Sequence, residues 1–417
     1  MLDVQEAVKR ILDQIPVLPA ETVPIMEAFQ RVLAEDVISA VDLPPFANSS
    51  MDGYAVHAED TLQTPITLPV ITDIPAGSSP TLTLERGQAA RIMTGAPLPD
   101  GADAVIPVED TDSTWDLGGP PPQTVTIHKG ALKGASVRPI GENVRQGQTV
   151  LRAGTLIRAQ DVGILASIGL EHVTVIRQPR VCILTTGDEL LYPGQPLTAG
   201  KIYDANSPML AALVQQYGGQ PVVLPISPDD LESVRRLFQN ALDQQPDVII
   251  SSAGVSVGAA DYVRTVLEAL GQIDFWRINL RPGKPLAFGM LRGMNGQQIP
   301  FFGLPGNPVS AVVTFDVIVR PALLRLQRMD AQAQTETIKA QVGERIESDG
   351  RRSYLRVRLS REGQAEAWTA RLTGTQSSGA LMSMVEADGL LIIPEGVRVV
   401  EAGEVLPVRL LRALPTA

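Results

Sequence analysis

Asp188, Glu189, Asp229 and Asp261 each stand shortly after an apolar run that reads as a buried strand. VCIL leads into Thr185-Thr186-Gly187-Asp188-Glu189, PVVLPI into Asp229-Asp230, and DVIISS into Ala253-Gly254-Val255-Ser256-Val257-Gly258-Ala259-Ala260-Asp261. Carboxylate oxygens beside phosphate-binding amides suit Mg²⁺, which keeps several waters and bridges a carboxylate to substrate phosphate. Taken singly, each carboxylate reads as a helix N-cap or a solvated charge. Their shared position after strands makes Glu189, Asp229 and Asp261 the candidate Mg²⁺ ligands.

Polar and glycine-rich segments occupy the same kind of position. Gly254 and Gly258 are accompanied by Ser251, Ser252 and Ser256 ahead of a helix, and PFFGL runs into Pro305-Gly306-Asn307-Pro308-Val309-Ser310. Backbone N–H groups and hydroxyls at a helix start suit a phosphate. An isolated Gly-x-x-x-Gly or a Pro at a turn has a plain structural reading, as a turn residue or a helix N1 position. Between INL and LAFGM lies Arg281-Pro282-Gly283-Lys284-Pro285, which with Arg277 gathers cations in a short span. In an acidic chain such a cluster beside glycine loops favours a phosphate pocket over a solvated face. Cleaving a phosphoanhydride depends on positioning and charge neutralisation, so carboxylates, a divalent ion, these cations and backbone amides suffice without a covalent nucleophile.

Elements that would position these residues follow from the texture of the chain. From residue 179 continuous apolar runs alternate with amphipathic stretches such as DDLESVRRLFQNALDQ, which predicts a doubly wound, mostly parallel α/β domain over 179–328. Ligands of such a sheet bind beyond the carboxyl ends of the strands. Residues 46–140 show short β-like runs broken by Gly, Pro and Asp, which predicts a β-rich domain, a small barrel or sandwich. Residues 1–45 read as two helices, the second around Pro24 to Asp36, and with 141–178 they form an expected discontinuous domain. From 329 to 417 runs such as RSYLRVRLS and GLLIIP predict a small antiparallel β-barrel.

Composition narrows the function classes. The 417 residues carry a formal net charge of −11, so the chain as a whole repels nucleic acid and anionic membranes. The single cysteine, Cys182, lies inside an apolar strand and reads as a packed thiol; it fits a reducing, cytoplasmic compartment. The three histidines, His57, His128 and His172, are scattered without ligand spacing, which disfavours a zinc site or a Ser-His-Asp arrangement. Val4, Val8, Ile11, Leu12 and Ile15 lie on one face of a charged N-terminal helix rather than in a signal-peptide block, and no apolar run is long enough to span a membrane.

Several segments occur in an order that resembles one family. These are PPFANSSMDGYA from Pro44, RIMTGAP from Arg91, RPIGEN from Arg138, TGDEL from Thr186, the SSAGVSVGAADY loop, RPGKP and LPGNPVS. Together they resemble the MoeA-type molybdopterin molybdenumtransferases and the C-terminal domain of gephyrin, along the whole chain. The resemblance implies a four-domain homodimer that binds adenylylated molybdopterin, cleaves its phosphoanhydride with Mg²⁺, transfers molybdate to the dithiolene and releases AMP. It carries catalytic roles onto Asp52, Thr94, Glu189 and Asp261. Substrate-binding roles fall on Arg138, Asp229, Gly254, Ser256, Gly258, Arg277, Arg281, Lys284, Pro305, Asn307, Pro308 and Ser378. The helix start at Asn307–Ser310 and the cations both remain candidates for holding molybdate. Asn143, Ala253, Arg277 and Arg281 depart from the family pattern, where Asp, Gly and lysines are common; Asn143 puts a metal or molybdate role there in doubt.

Two other readings compete: a molybdopterin adenylyltransferase, which uses a similar α/β domain, and a non-enzymatic scaffold of the gephyrin kind. Asp52 and Thr94, in a domain the first does not need, and the lack of an attached scaffold domain place both behind. The resemblance also implies interaction with the adenylyltransferase of the pathway and with recipient molybdoenzymes.

Overall fold

A computed structural model describes residues 1–114, 119–252, 260–330, 336–361 and 367–414. The N-terminal helix α1 spans Val4–Leu12 and is capped by Asp3, whose carboxylate accepts from the backbone of Gln5 and Glu6; Val4, Ala7 and Ile11 form its buried stripe. The second expected helix does not form. Ala20–Pro24 is a strand, a single 3₁₀ turn Ile25–Glu27 follows, and Gln30 takes a φ of 60°. Val32 and Leu33 are instead held extended by distant backbone, the Val32 carbonyl accepting from Ile176 N–H at 2.8 Å and Leu33 N–H donating to the Thr155 carbonyl at 3.0 Å.

Contacts divide the chain into two compact units, one holding Met1–Glu21, Gln30–Val32 and Val175–Ala417, the other Thr22–Phe29 and Leu33–Thr174. Helix α1 thus falls in the unit of the α/β sheet, whereas the sequence texture groups it with 141–178. In the second unit a five-stranded sheet runs in the order Ala104–Pro107, Gly53–Val56, Ala89–Ile92, Ile66–Ile74, Thr124–Ile127. Tyr54, Val56, Ala89 and Ile106 fill one core against Val125 and Ile127, while Ala55, Ala90, Ile92 and Val105 fill another, so alternate residues serve opposite faces. Helix α2, Ala159–Ser167, belongs to the same unit, as does the short pairing of Val37–Ile38 with Thr149–Leu151.

The first unit carries a six-stranded sheet ordered Gln220–Val223, Arg180–Thr185, Val248–Ser252, Gln298–Leu304, Pro285–Arg292, Gly271–Arg277. The first four strands are parallel; the fifth, Pro285–Arg292, runs antiparallel to both of its neighbours, so the sixth again runs with the first four. Helices α3 (Asn206–Gln216), α4 (Leu231–Asp243), α5 (Ala260–Leu270), α6 (Pro308–Thr314) and α7 (Arg320–Leu326) complete the α/β body, with a π turn Phe315–Val319 between α6 and α7. The core between sheet and helices joins Cys182, Leu184, Ile249 and Phe301 to Leu237, Phe238 and Val266.

The antiparallel pair decides where the cations go. Ala287 pairs with Gly303 and Arg292 with Gln298, so Pro285–Arg292 starts at the edge where Gln298–Leu304 ends. Arg277 pairs with Pro285, which brings the end of Gly271–Arg277 and the loop after it to that same edge.

The C-terminal strands close on themselves. Arg352–Ser360, Trp368–Leu372, Thr337–Val342, Val405–Leu410 and Gly389–Ile393 form a ring, closed by the pairing of the first with the last. The barrel is not wholly antiparallel, because Thr337–Val342 and Trp368–Leu372 run parallel. Leu280–Arg281 adds to it beside Arg352–Ser353, stitching the cation loop to the barrel.

Candidate active site

At the carboxyl edge of the parallel strands, Thr186 bridges Ser227, and Gly187 N–H donates to the Ser227 carbonyl at 3.2 Å. The Asp229 N–H donates to Asp188 Oδ1 at 3.3 Å, so the loops bearing Asp188, Glu189 and Asp229 come together. Asp230, not Asp229, caps α4, accepting from Ser233 N–H at 2.9 Å, and the Ser233 hydrogen bonds hold its carboxyl below the usual range. Asp229 is thereby left free of the capping role.

Glu189 is exposed, and no cation pairs with it among the described residues. A Cβ on Gly187 would lie 2.7 Å from Glu189 Oε2, so the glycine leaves room for this carboxylate. No group of three or more His, Cys, Asp or Glu side chains gathers among the described residues. Mg²⁺ takes one or two carboxylates and keeps its waters, so the unpaired acceptors Glu189 and Asp229 fit it. Asp261 lies at the start of α5, and its side chain lies outside the described residues, as do Gly254, Ser256 and Gly258.

Arg277 and Lys284 flank the turn between the antiparallel strands: Arg277 is opposite Pro285, and Ile278 N–H donates to the Lys284 carbonyl at 2.9 Å. Both are exposed, and Arg281 is half-buried. Gly283 has a φ of 113°, and a Cβ there would meet Thr314 Oγ1 at 2.4 Å, so only glycine lets this loop lie against the helix.

Next to this loop the structure reveals a residue that the sequence does not single out. Arg356 is fully buried, and among the described residues no carboxylate pairs with it. Its Nε donates to Ser383 Oγ at 3.0 Å and its Nη2 to the Ser377 carbonyl at 3.0 Å, while Nη1 has no partner among the described residues. Burial, and then the neighbouring charge of Arg281, push the guanidinium down to about 10. A buried cation with an unused N–H beside a second cation is an arrangement that an anion would complete. The Arg356-anchored loop also carries Ser378, whose carbonyl accepts from Val309 N–H at 3.1 Å, bringing it to the start of α6 after Pro305, Asn307 and Pro308.

In the other unit Asp52 and Thr94 are brought together: Asp52 Oδ1 accepts from Thr94 N–H at 2.7 Å and from Thr94 Oγ1 at 2.8 Å. Arg138 belongs to this unit too, exposed and paired through its backbone with Asn48 on the loop that leads to Asp52. Cys182 is buried and its thiol is raised to about 11 by burial, so it is a packing residue.

Comparison with known proteins assigns the whole chain. Residues 2–169 match the MoeA N-terminal region (domain I and II), residues 182–325 a probable molybdopterin binding domain, and residues 339–411 the MoeA C-terminal region (domain IV). The chain is 37% identical to molybdopterin molybdenumtransferase 2 of Mycobacterium tuberculosis, covering 98% of this chain and 99% of that one. It is 36% identical to the molybdopterin molybdenumtransferase of Haemophilus influenzae, over 98% of each. The crystal structure of the MoeA molybdopterin biosynthesis protein from Pyrococcus horikoshii superimposes with a TM-score of 0.80 at 32% identity, covering 99% of this chain and 100% of that one. The chain belongs to the MoeA family of molybdopterin molybdenumtransferases.

Proposed function

We propose that this protein is the molybdenum insertase of molybdenum cofactor biosynthesis: it binds adenylylated molybdopterin, cleaves the phosphoanhydride and transfers molybdate to the dithiolene, with AMP as the leaving group. The observation that carries the reading is the buried Arg356 with its unpartnered Nη1, beside Arg281 and the Ser377–Ser378 loop. Molybdate is an oxyanion, and a guanidinium with an unused N–H offers it a charge-assisted hydrogen bond. Arg277 and Lys284, at the adjoining turn, are free to take the phosphates.

Glu189 and Asp229 are the described carboxylates suited to holding Mg²⁺, with Asp261 a third candidate at the start of α5. A divalent ion there would neutralise charge on the phosphoanhydride. Asp52, fixed by Thr94, and Arg138 carry the catalytic and substrate-binding roles that the family resemblance gives them in the other unit. The finer division into 1–45 with 141–178, 46–140, 179–328 and 329–417 belongs to this proposal, as do the cytoplasmic location, the homodimer and the downstream partners. Among the described residues no helix is long and apolar enough to cross a membrane. Leu197, Ile202 and Tyr203, exposed on one excursion after Glu189, supply apolar surface for self-association, which sedimentation equilibrium tests.

The direct test incubates the purified protein with adenylylated molybdopterin, Mg²⁺ and molybdate, and assays AMP and active cofactor. AMP release that needs all three supports the reading. Consumption of ATP and free molybdopterin instead would transfer the protein to the adenylyltransferases.

A further inference from the structure

Asn206 and Ser207 open helix α3 at the strand edge where the candidate site lies. The Asn206 amide donates from Nδ2 to Ser252 Oγ and to the Gly306 carbonyl, each at 2.7 Å. Ser252 ends the strand Val248–Ser252, and Gly306 lies in the loop after Gln298–Leu304. Ser207 Oγ lies 2.7 Å from Thr185 Oγ1, at the end of the third strand of this group. Asp204, itself buried, fixes the dipeptide by accepting from Asn206 N–H at 3.0 Å and Ser207 N–H at 3.1 Å. Consecutive side chains therefore tie together the ends of parallel strands that are neighbours in the sheet.

Orientation of the amide shows what it serves. Asn206 Oδ1 is buried and accepts nothing among the described residues. Rotating the amide would not repair this, because it would set Oδ1 against the Gly306 carbonyl, acceptor against acceptor. The side chain leaves its own acceptor unsatisfied in order to place its donors, a local cost retained at the ligand edge.

We propose that Asn206 is a positioning residue: its amide sets the spacing between the end of the Val248–Ser252 strand and the Pro305–Pro308 loop, and so holds that loop ready for the anionic ligand. The ligand side of this inference rests on the proposed function; the spacing side does not.

The experiment compares full-length wild type with Asn206→Ala, Asn206→Asp and Ser252→Ala. Without ligand, hydrogen exchange in the peptides covering 303–310 is expected to quicken about ten-fold in the Asn206 variants, as for loss of one well-made hydrogen bond, with barrel peptides unchanged. The dissociation constant for adenylylated molybdopterin rises about ten-fold in both, and about three-fold in Ser252→Ala, which keeps the Gly306 bond. Thermal midpoints stay near wild type, since Asn206→Ala also removes the unsatisfied oxygen. Unchanged exchange at 303–310 overturns the proposal, and so does a fall in midpoint that accounts for the whole loss of affinity. Should wild type bind no adenylylated molybdopterin, the proposed function fails, while the exchange comparison still decides the role of Asn206. If Asn206→Asp does not fold, Asn206→Ala decides by the same readings, because it too removes the Gly306 bond.

Discussion

Arg281 lies close enough to Arg356 for its charge to help hold the buried guanidinium down at about 10, the larger cause being burial itself. Two like charges toward one loop are unfavourable without an anion between or beside them. Removing Arg356 should therefore cost most where the anion binds. We expect Arg356→Ala to weaken molybdate binding by about 2–4 kcal/mol, with a charged, buried hydrogen bond lost. Equilibrium dialysis of molybdate is the check, and a dissociation constant equal to wild type would remove Arg356 from the anion site.

The same relationship sets a pH dependence. A base whose folded-state pKa is depressed binds its proton less tightly than in the unfolded chain, so between about 10 and the ordinary arginine value stability rises with pH. Anion binding has the opposite sign, because it needs the charged form. Molybdate affinity should be level across neutral pH and decline above about 10. Arg281→Ala should move that decline to higher pH while lowering affinity through its own lost charge. An affinity that holds through pH 11, with near-UV circular dichroism unchanged, would contradict the assignment.

The parallel strands were readable because both faces are buried, which leaves continuous apolar runs such as VCIL and DVIIS. Their loop residues could be placed on one edge without coordinates, since parallel strands all end on the same side. The segment 24–36 misleads because Val32 and Leu33 are apolar enough for a helix but are buried side by side in extended chain. Arg356 was not legible. It sits in RSYLRVRLS on the same strand face as Arg352 and Arg358, both partly or well exposed, and strand alternation treats the three alike. Only the return of residues 375–377 and Ser383 over that face buries one of them.

Asp52 and Thr94 offer a test in the other unit. Thr94→Val removes the hydroxyl donor but keeps the backbone N–H on the same carboxylate oxygen. Because the pair is near the surface, stability should fall by no more than about 1 kcal/mol. AMP release should nevertheless fall about ten-fold if Thr94 orients Asp52 toward the reactants. Full turnover in a folded Thr94→Val protein would reduce the pair to a loop clamp.

Asp316, in the π turn, ties the helix to the barrel. Its carboxylate is 3.0 Å from Arg320 Nε and also pairs with Arg409 on the strand Val405–Leu410. Asp316→Asn leaves the two cations without their shared counter-charge in a buried setting, and should cost about 3–5 kcal/mol in urea unfolding of this unit. A loss below about 1 kcal/mol would mean that water or another acid already compensates them.

Gly187 supplies the last test, of the carboxylate edge. Its φ is 155°, and an added Cβ would fall 2.7 Å from Oε2 and 2.9 Å from Oε1 of Glu189. Those atoms are the free end of an exposed side chain, so Gly187→Ala is relieved by moving the Glu189 carboxylate rather than the backbone of the strand. The fold should survive with a modest loss from the unfavourable φ, about 1 kcal/mol. What changes is the position of one proposed Mg²⁺ ligand while Asp229 stays in place. The Mg²⁺ concentration for half-maximal AMP release should rise about ten-fold, and Glu189→Gln should raise it at least as far. Saturating Mg²⁺ should recover most of the turnover in Gly187→Ala, because the carboxylate is displaced and not removed. If Gly187→Ala and Glu189→Gln both keep the wild-type Mg²⁺ dependence with intact circular dichroism, Glu189 does not hold the ion and the assignment passes to Asp229 or Asp261.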